Sequence, residues 1–387
     1  MSENLRLYQQ IGQFIGQAGV SFRDVRNLVT FVWAIVGLLL SEQIHLSQWT
    51  LFRPGESKAA SKERQLSRWL HNRKIRPGNI YHNLVVAALL HWREQQVELA
   101  LDSSLLWNRF VVVRISLIYR GRAVPLAWLV LEQASASVSF ENYAALLPEV
   151  MRLLPAGCNV ILLADRGFTD TRLMQLALAQ GWHFAIRLKT SLWVYRPGQP
   201  RRKVMSLLPG QGQIALLHQV CITAQKFGPV HLALGRVRTP KGYQSWAVVS
   251  DRPTSLETFD EYGLRFDIEE NFLDDKSAGF QLESSEIEDA AALSRLCLIL
   301  ATATLYLVST GTAVVAWQRR HWVDTHWQRG LSYLQLGWRW VRRALLEGLP
   351  LLSSPWLEPG PDPEPVFASK RQAATSTLSF SSIFMLE

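Results

Sequence analysis

The fold class follows from residues 160–188, VILLADRGFTDTRLMQLALAQGWHFAIRL. A first apolar run over 160–164 ends at a polar turn, and Thr169 or Asp170 is a suitable N-cap for a helix over 171–180. A second apolar run over 183–188 follows that helix. Strand, helix and strand in this order predict a parallel crossover, and therefore an α/β protein.

Three strand-like runs precede the crossover. They are rich in Val, Ile and Leu and cover residues 97–106, 109–119 and 123–132. The turn Arg120-Gly121-Arg122 between the last two is typical of a tight hairpin. A helix over 141–154, with Ser139 as its cap, leads into the crossover. An antiparallel meander that feeds a parallel crossover predicts a mixed sheet with helices packed on it.

The remaining segments differ in composition. Residues 1–95 have the periodicity of helices, whereas residues 190–245 are rich in Gly, Pro and Gln and predict a β-rich insertion. A strand is predicted over 246–250, and helices over 259–275, 287–307 and 332–346. The tail from Ser353 is rich in Pro, Ser and Thr, and it is predicted to be disordered.

Basic residues are concentrated in three segments of a chain whose net charge is +9. Residues 51–80 hold eight Arg or Lys, and residues 187–203 and 315–345 hold six each. Aromatic residues are interleaved with them. A solvated surface explains one such cluster, but three with interleaved aromatic residues favour a nucleic acid partner.

The cysteines and the apolar segments bear on the compartment. The three cysteines are far apart and form no Cys-x-x-Cys pair, which favours a reducing cytoplasm over a disulfide or zinc framework. The polar start of the chain does not resemble a signal peptide.

Residues 296–317 carry no charge and are long enough to span a bilayer. Their Thr and Ser content favours a buried helix instead, which we expect to break at Gly311.

Two acidic residues interrupt apolar surroundings. Asp102 follows Leu99-Ala100-Leu101 on the first predicted strand, and Asp165 ends the fourth. A charge in apolar surroundings costs free energy unless a cation or a hydrogen-bonding partner compensates it. Carboxylates that converge from separate elements form two-metal sites for phosphodiester chemistry. The alternative is ordinary, since loops often begin with Asp.

A third acidic residue lies in a polar stripe of the helix predicted over 259–275. Tyr262, Arg265, Glu269 and Lys276 fall on one narrow face at helical spacing. Glu269 suits a metal ion, while the other three suit phosphate oxygens. The alternative is a surface ion pair between Arg265 and Glu269, four residues apart.

These residues together resemble a known family. Asp102, the run Asp165-Arg166-Gly167-Phe168 and the spacing Tyr-x2-Arg-x3-Glu-x6-Lys are similar to the bacterial DDE transposases of the insertion-sequence-four superfamily. The resemblance implies an RNase H-like fold with an inserted β-region. The chain then divides into five parts: a helical, basic, DNA-binding region over 1–95, core over 96–190, insertion over 191–245, core with the catalytic Glu helix over 246–346, and a disordered tail over 347–387.

The resemblance also implies an activity. Asp102, Asp165 and Glu269 would bind two Mg²⁺ or Mn²⁺ ions, and the enzyme would cleave an element end through a DNA hairpin and join it to target DNA. Trp246 would stack on an extruded base, as Trp does in the family, and the alternative for it is a role in the core or at a strand edge. Arg187 and Lys189 alternate with apolar residues at a strand end and could contact the DNA backbone, or they could belong to an ordinary sheet edge. The implied partners are double-stranded DNA and a second protomer, in the bacterial cytoplasm at the nucleoid.

Three other functions are compatible with parts of the pattern. An RNase H-like nuclease would use the same acids without strand transfer. A repressor derived from a transposase would bind DNA without cutting it. A membrane protein would rest only on residues 296–317.

Overall fold

A computed structural model of the protein describes residues 2–239, 242–366 and 382–385. Thirteen α-helices lie in this part of the chain, and the first five occupy the N-terminal region: α1 Glu3–Gln17, α2 Val25–Ser41, α3 Leu46–Thr50, α4 Ala59–Leu70 and α5 Pro77–Ala88. The next four lie among the strands: α6 Phe140–Tyr143, α7 Leu146–Met151, α8 Thr171–Ala179 and α9 Val204–Leu207. The last four are α10 Glu257–Gly263, α11 Phe266–Leu273, α12 Ala290–Ala316 and α13 Tyr333–Glu347.

One mixed sheet runs through the described part of the chain. Its first half contains β1 Gln96–Leu106, β2 Phe110–Tyr119, β3 Arg122–Glu132, β4 Asn159–Ala164 and β5 His183–Arg187. Its second half contains β6 Trp193–Tyr195, β7 Arg202–Lys203, β8 Gln213–Ile222, β9 Phe227–Thr239, β10 Gly242–Ser250 and β11 Ser382–Met385. The order is β3-β2-β1-β4-β5-β10-β9-β8-β6-β7, with β11 beside β8. The strands β1, β4 and β5 are parallel neighbours.

The predicted mixed α/β architecture is confirmed by this topology. The hairpin between β2 and β3 turns at Arg120 and Gly121, whose φ angles are 51° and 80°. Two positive φ values are the geometry of the tight turns that match strand twist. The strands of residues 191–245 do not form a separate sheet, because β10 joins them to β5 at the edge of the first half.

Both faces of the sheet are buried at β4. On β4, Ile161 and Leu163 pack in a cluster that includes Phe259 and Tyr262 of α10. Leu162, on the opposite face of the same strand, belongs to the main core. A strand covered on both sides must be apolar throughout, which explains its continuous apolar run.

Two helix predictions were wrong in detail. The helix predicted over 141–154 is two short helices, α6 and α7, because the ring of Pro148 conflicts with the carbonyl of Ala144 in a continuous helix. The break predicted at Gly311 is absent, and α12 continues to Ala316. A Cβ atom at Gly311 would overlap the carbonyl oxygen of Tyr333 on α13, so this glycine permits close helix packing.

The helix α12 is long and apolar enough to cross a membrane by length and composition, but 89% of its most apolar window is buried inside the protein. It packs against β3 and α13 as a core helix. The burial therefore agrees with the expectation of a buried helix over residues 296–317.

The disorder predicted for residues 347–387 was wrong for part of that tail. Residues 349–366, which we call the C-terminal strap, lie along the body of the protein, and Leu351, Leu352 and Leu357 are buried. Leu357 bonds to Ala88 and Trp92 through its backbone. Residues 382–385 pair with β8 as β11. The prediction for 367–381 lies outside the described residues.

Candidate active site

Two of the three predicted acids lie on neighbouring strands. The parallel β1–β4 ladder pairs Leu101 with Ala164, so Asp102 and Asp165 come directly after paired residues. They border a cleft of about 540 Å³ together with Lys189. Asp165 is the point where β4 ends and a short 3₁₀ turn begins, which turns the chain away from the sheet edge.

Arg265 connects Asp102 to the third acid. Its guanidinium donates to Asp102 Oδ2 at 3.0 Å and to Glu269 Oε1 at 2.6 Å. Arg265 is 3% exposed, whereas the side chain of Glu269 is 54% exposed. The ion pair between Arg265 and Glu269, the alternative to a metal and phosphate site, is therefore present, but its arginine is buried and also contacts Asp102.

The electrostatics of Asp102 reflect this crowding. Burial raises the pKa of Asp102 to about 6, and Glu269 and Asp165 also raise it, while Arg265 and the Ser103 N–H lower it. Both other acids therefore act on the same carboxyl group. Like charges gathered at a partly buried position favour either a proton or a cation.

The helix that carries Glu269 is not continuous. The predicted helix over 259–275 is divided into α10 and α11, and hydrogen bonds three residues apart tighten the chain between them at Leu264 and Arg265. After α11, residues Asp274–Ala278 form a π-helical turn. A π-turn changes the side-chain phase, and it turns Lys276 towards β1, where Nζ donates to the Leu105 carbonyl at 2.7 Å.

Two of the predicted DNA contacts are buried in this conformation. Tyr262 is 0% exposed, and burial raises its pKa to about 12. Trp246 is 4% exposed and stacks on Phe266, with ring centroids 5.6 Å apart. A buried indole offers no face to a base, so neither Trp246 nor Tyr262 presents a surface to DNA in this conformation. Their roles towards DNA stay predictions.

The two basic residues of β5 and its end differ in exposure. Arg187 is half-buried and donates to the Ser245 carbonyl at 2.9 Å, which ties β5 to β10. Lys189 is exposed and lines the cleft beside Asp102 and Asp165. Of the two, only Lys189 therefore presents its charge to the cleft.

Sequence reasoning missed a buried ion network beneath the site. Arg114 on β2 lies opposite Asp102 in the ladder and pairs with Asp275 at 2.7 Å. Its guanidinium also donates to Asn271 Oδ1 at 2.6 Å. An arginine in the otherwise apolar strand FVVVRISLIY was the signal. Asp275 thus pairs with Arg114, and its neighbour Asp274 pairs with Arg122.

A mixed α/β sheet with acids gathered at the ends of parallel strands defines a candidate hydrolytic or transfer enzyme. The family model described as the transposase DDE domain matches residues 108–306, more than half of the 387 residues. The chain belongs to this family, and it is a DDE transposase. It is therefore an enzyme that acts on DNA, in a family that uses divalent metal ions. The match includes Asp165 and Glu269 and begins just after Asp102.

The chain is also similar to solved structures. One of them is described as a cryo-EM structure of a piggyBac transposase synaptic complex with hairpin DNA. The TM-score is 0.44 and the identity 10%, with 95% of this chain and 88% of that chain covered. No curated protein sequence matches the chain.

Proposed function

We propose that this transposase cleaves the ends of its element and joins them to target DNA at a site formed by Asp102, Asp165 and Glu269. The strongest support is that the three elements that carry these acids come together at one place in the structure. Two acids follow paired residues of β1 and β4, and Arg265 links one of them to the acid on α11. In this proposal residues 96–190 and 246–346 form the RNase H-like core, and residues 191–245 are its insertion.

The donor chemistry fits a divalent cation. Among the described residues, no group of three His, Cys, Asp or Glu side chains is already close enough to hold an ion. Instead Arg265 takes the place between Asp102 and Glu269. Carboxylate oxygens are the ligands that Mg²⁺ and Mn²⁺ prefer. Glu269 is more than half exposed, so its carboxylate is free to exchange the arginine for an ion.

Asp102, Asp165 and Glu269 would hold two Mg²⁺ or Mn²⁺ ions. When bound, such ions activate a water or a 3′-hydroxyl and stabilise the leaving oxygen. Arg265 would then be released towards a phosphate oxygen of the DNA. Lys189 lines the same cleft and Lys276 lies at the end of β1, where each adds positive charge for the DNA backbone.

The pathway that we propose is the one implied by the family resemblance. A first nick is followed by hairpin formation, hairpin opening and strand transfer, with two protomers bridging two DNA ends in the bacterial cytoplasm. The N-terminal helical region would contribute to end binding through the exposed side chains of Arg64, Arg68 and Arg73 on and after α4.

The test uses the full chain and DNA that carries the inverted repeats flanking the gene. Asp102→Asn, Asp165→Asn and Glu269→Gln should each abolish nicking in Mg²⁺ while end binding, measured by fluorescence anisotropy, stays near the wild-type value. Glu270→Gln, which alters the exposed neighbour of Glu269, is the matched control and should cleave normally. Wild-type cleavage by Glu269→Gln would remove that residue from the site.

A second measurement separates metal binding from activity. Fe²⁺ with ascorbate cuts a protein backbone next to a bound ion, so the cuts should fall near residues 102, 165 and 269. They should disappear in Asp165→Asn. Joined products from pre-cut ends and a supercoiled target would distinguish the transposase from a nuclease that only cleaves.

A further inference from the structure

Three tryptophans are exposed on the segment that connects α12 to α13. Trp317, Trp322 and Trp327 are 38%, 45% and 89% exposed. Large apolar side chains that are exposed together mark an interaction site more often than a feature of stability. We call these three side chains, together with Arg319 and Arg339, the distal aromatic surface.

The loop that presents Trp327 is rigidly held. Asp324 is fully buried and accepts hydrogen bonds from the backbone N–H groups of His326 and Gly330 at 3.1 and 2.9 Å. Arg320, 3% exposed, donates to the carbonyl oxygens of His326 and Trp327, both at 3.0 Å. The backbone at Trp327 is therefore fixed while its indole extends into solvent.

The charge of the distal aromatic surface has one sign. Arg319 is half-buried and lies over the ring of Trp322 at 5.2 Å, and Arg339 is exposed. Asp324, the acidic residue of this segment, is buried, and its carboxylate accepts hydrogen bonds within the loop. Glu42 and Glu347, at the border, pair with Arg342 and Arg343. Aromatic faces with uncompensated arginines suit bases and phosphates.

The distal aromatic surface is far from the acids. Tyr119, at the end of β2, bonds to Thr312 of α12 at 3.0 Å. Because Leu117 pairs with Leu99, Tyr119 lies beside the start of β1, about 16 Å along the strand from Asp102. From Thr312 the helix continues to Ala316 and the exposed tryptophans follow. DNA on this surface is therefore not in the candidate cleft.

We propose that the distal aromatic surface binds a DNA strand with unpaired bases. An indole stacks flat on a base only where the base is free of its partner strand, and stacking tolerates any sequence. Arg319 and Arg339 would contact the phosphates. DNA is the expected partner because the protein is a transposase. The distal aromatic surface would be a second DNA-binding site, separate from the candidate cleft.

The test measures the affinity of the full chain for a labelled oligothymidine of about 16 nucleotides and for a duplex of equal length, at one salt concentration. Trp327→Ala should weaken single-strand binding about tenfold, a typical loss for one stacked base. Trp327→Phe keeps an aromatic face and should recover most of the affinity. Leu90→Ala, at another side chain that is 69% exposed, is the control and should bind normally.

A direct readout accompanies the affinities. An oligonucleotide with a photoreactive halogenated uracil should crosslink to a peptide that contains Trp327. Wild-type single-strand affinity of Trp327→Ala would overturn the proposal. The proposal would also fail if Trp327→Ala changed the oligomeric state and left the DNA affinity unchanged. That result would show that the distal aromatic surface contacts a second copy of the protein. Asp165→Asn tests the proposed catalytic site by cleavage, so the two proposals fail separately.

Discussion

Arg114 on β2 and Asp275 in the π-helical turn form an ion pair at 2.7 Å in which the side chains are only 2% and 3% exposed. The pair fastens the segment after α11 to the sheet, one strand away from β1. Asn271, on α11, accepts from the same guanidinium. The position of the helix that carries Glu269 therefore depends on a charge buried in the core.

Replacing Arg114 should destabilise the protein strongly. Arg114→Met leaves the Asp275 carboxylate without its cation in the interior, which costs about 3–5 kcal/mol. Urea unfolding of the metal-free protein measures the loss. Arg26→Met is the control, because Arg26 pairs with Asp24 at 2.8 Å but is 84% exposed, and its removal should cost less than about 1 kcal/mol.

A double variant checks the cause of that loss. Arg114→Met with Asp275→Leu removes both charges and should regain much of the stability lost by Arg114→Met alone. Equal stability of the single and the double variant would show that the charge of Asp275 is not responsible.

Asp274 should make stability depend on pH. Burial raises the pKa of Asp274 to about 6, and Asp275 and Glu270 add to the rise while Arg122 opposes it. The folded state therefore holds this proton more tightly than the unfolded state does. Stability should fall as pH rises from about 4 to about 6, with a contribution from this group of about 3 kcal/mol.

The measurement is urea unfolding across that pH range in the absence of metal ions. Other buried carboxyl groups contribute to the wild-type slope, so the comparison is with Asp274→Asn. The variant should lose less stability than the wild type as pH rises. Identical slopes would contradict the assignment of this part of the pH dependence to Asp274.

The strands and the crossover helix could be predicted from local pattern. The apolar runs of β1 to β5 and the cap at Asp170 depend on neighbours in sequence, and the sequence contains them. The convergence of Asp102 and Asp165 requires that their strands be neighbours, and the structure pairs β1 with β4. That these acids are catalytic stays a prediction.

What could not be predicted depends on distant parts of the chain. The family resemblance implied a stacking role for Trp246, but α10 covers its side chain in this conformation. Gly311 was predicted to break the helix, because the sequence does not show that it packs against Tyr333 of another helix. The C-terminal strap was predicted to be disordered, because its composition does not show that Leu357 is buried beside Trp92. In each case tertiary packing overrides the local signal.

Helix packing at Gly337 should not tolerate a methyl group. A Cβ atom there would overlap the carbonyl oxygen of Leu307, just as one at Gly311 would overlap that of Tyr333. Gly337→Ala should therefore lower the free energy of unfolding by about 1–3 kcal/mol, because α12 and α13 must separate. Thermal or urea unfolding measures the change.

Gly12 provides a matched control for this prediction. It lies inside α1, and a Cβ atom there would meet no atom within 4 Å. Gly12→Ala should stabilise the protein by about 0.5–1 kcal/mol, because alanine loses less backbone entropy in a helix. Destabilisation by both alanine variants would show that packing against Leu307 is not the reason.

The C-terminal strap should be required for stability. Ending the chain after Gly348 removes Leu351, Leu352 and Leu357 from the core, a loss of at least about 5 kcal/mol. It also removes Asp362, which pairs with the buried Arg329 at 2.5 Å. A chain that ends after Val366 keeps all of these contacts and gives up the pairing of β11 with β8. In urea unfolding it should therefore lose much less stability than the chain that ends after Gly348.

If the shorter chain fails to accumulate, a point variant keeps the prediction testable. Leu357 is 1% exposed, and its backbone carbonyl accepts from the Trp92 indole at 2.7 Å. Leu357→Ala should cost about 2–5 kcal/mol through the cavity that it leaves. Pro365→Ala, at an exposed position of the same strap, should cost little. Equal stability of these two variants would mean that the strap lies on the protein without supporting it.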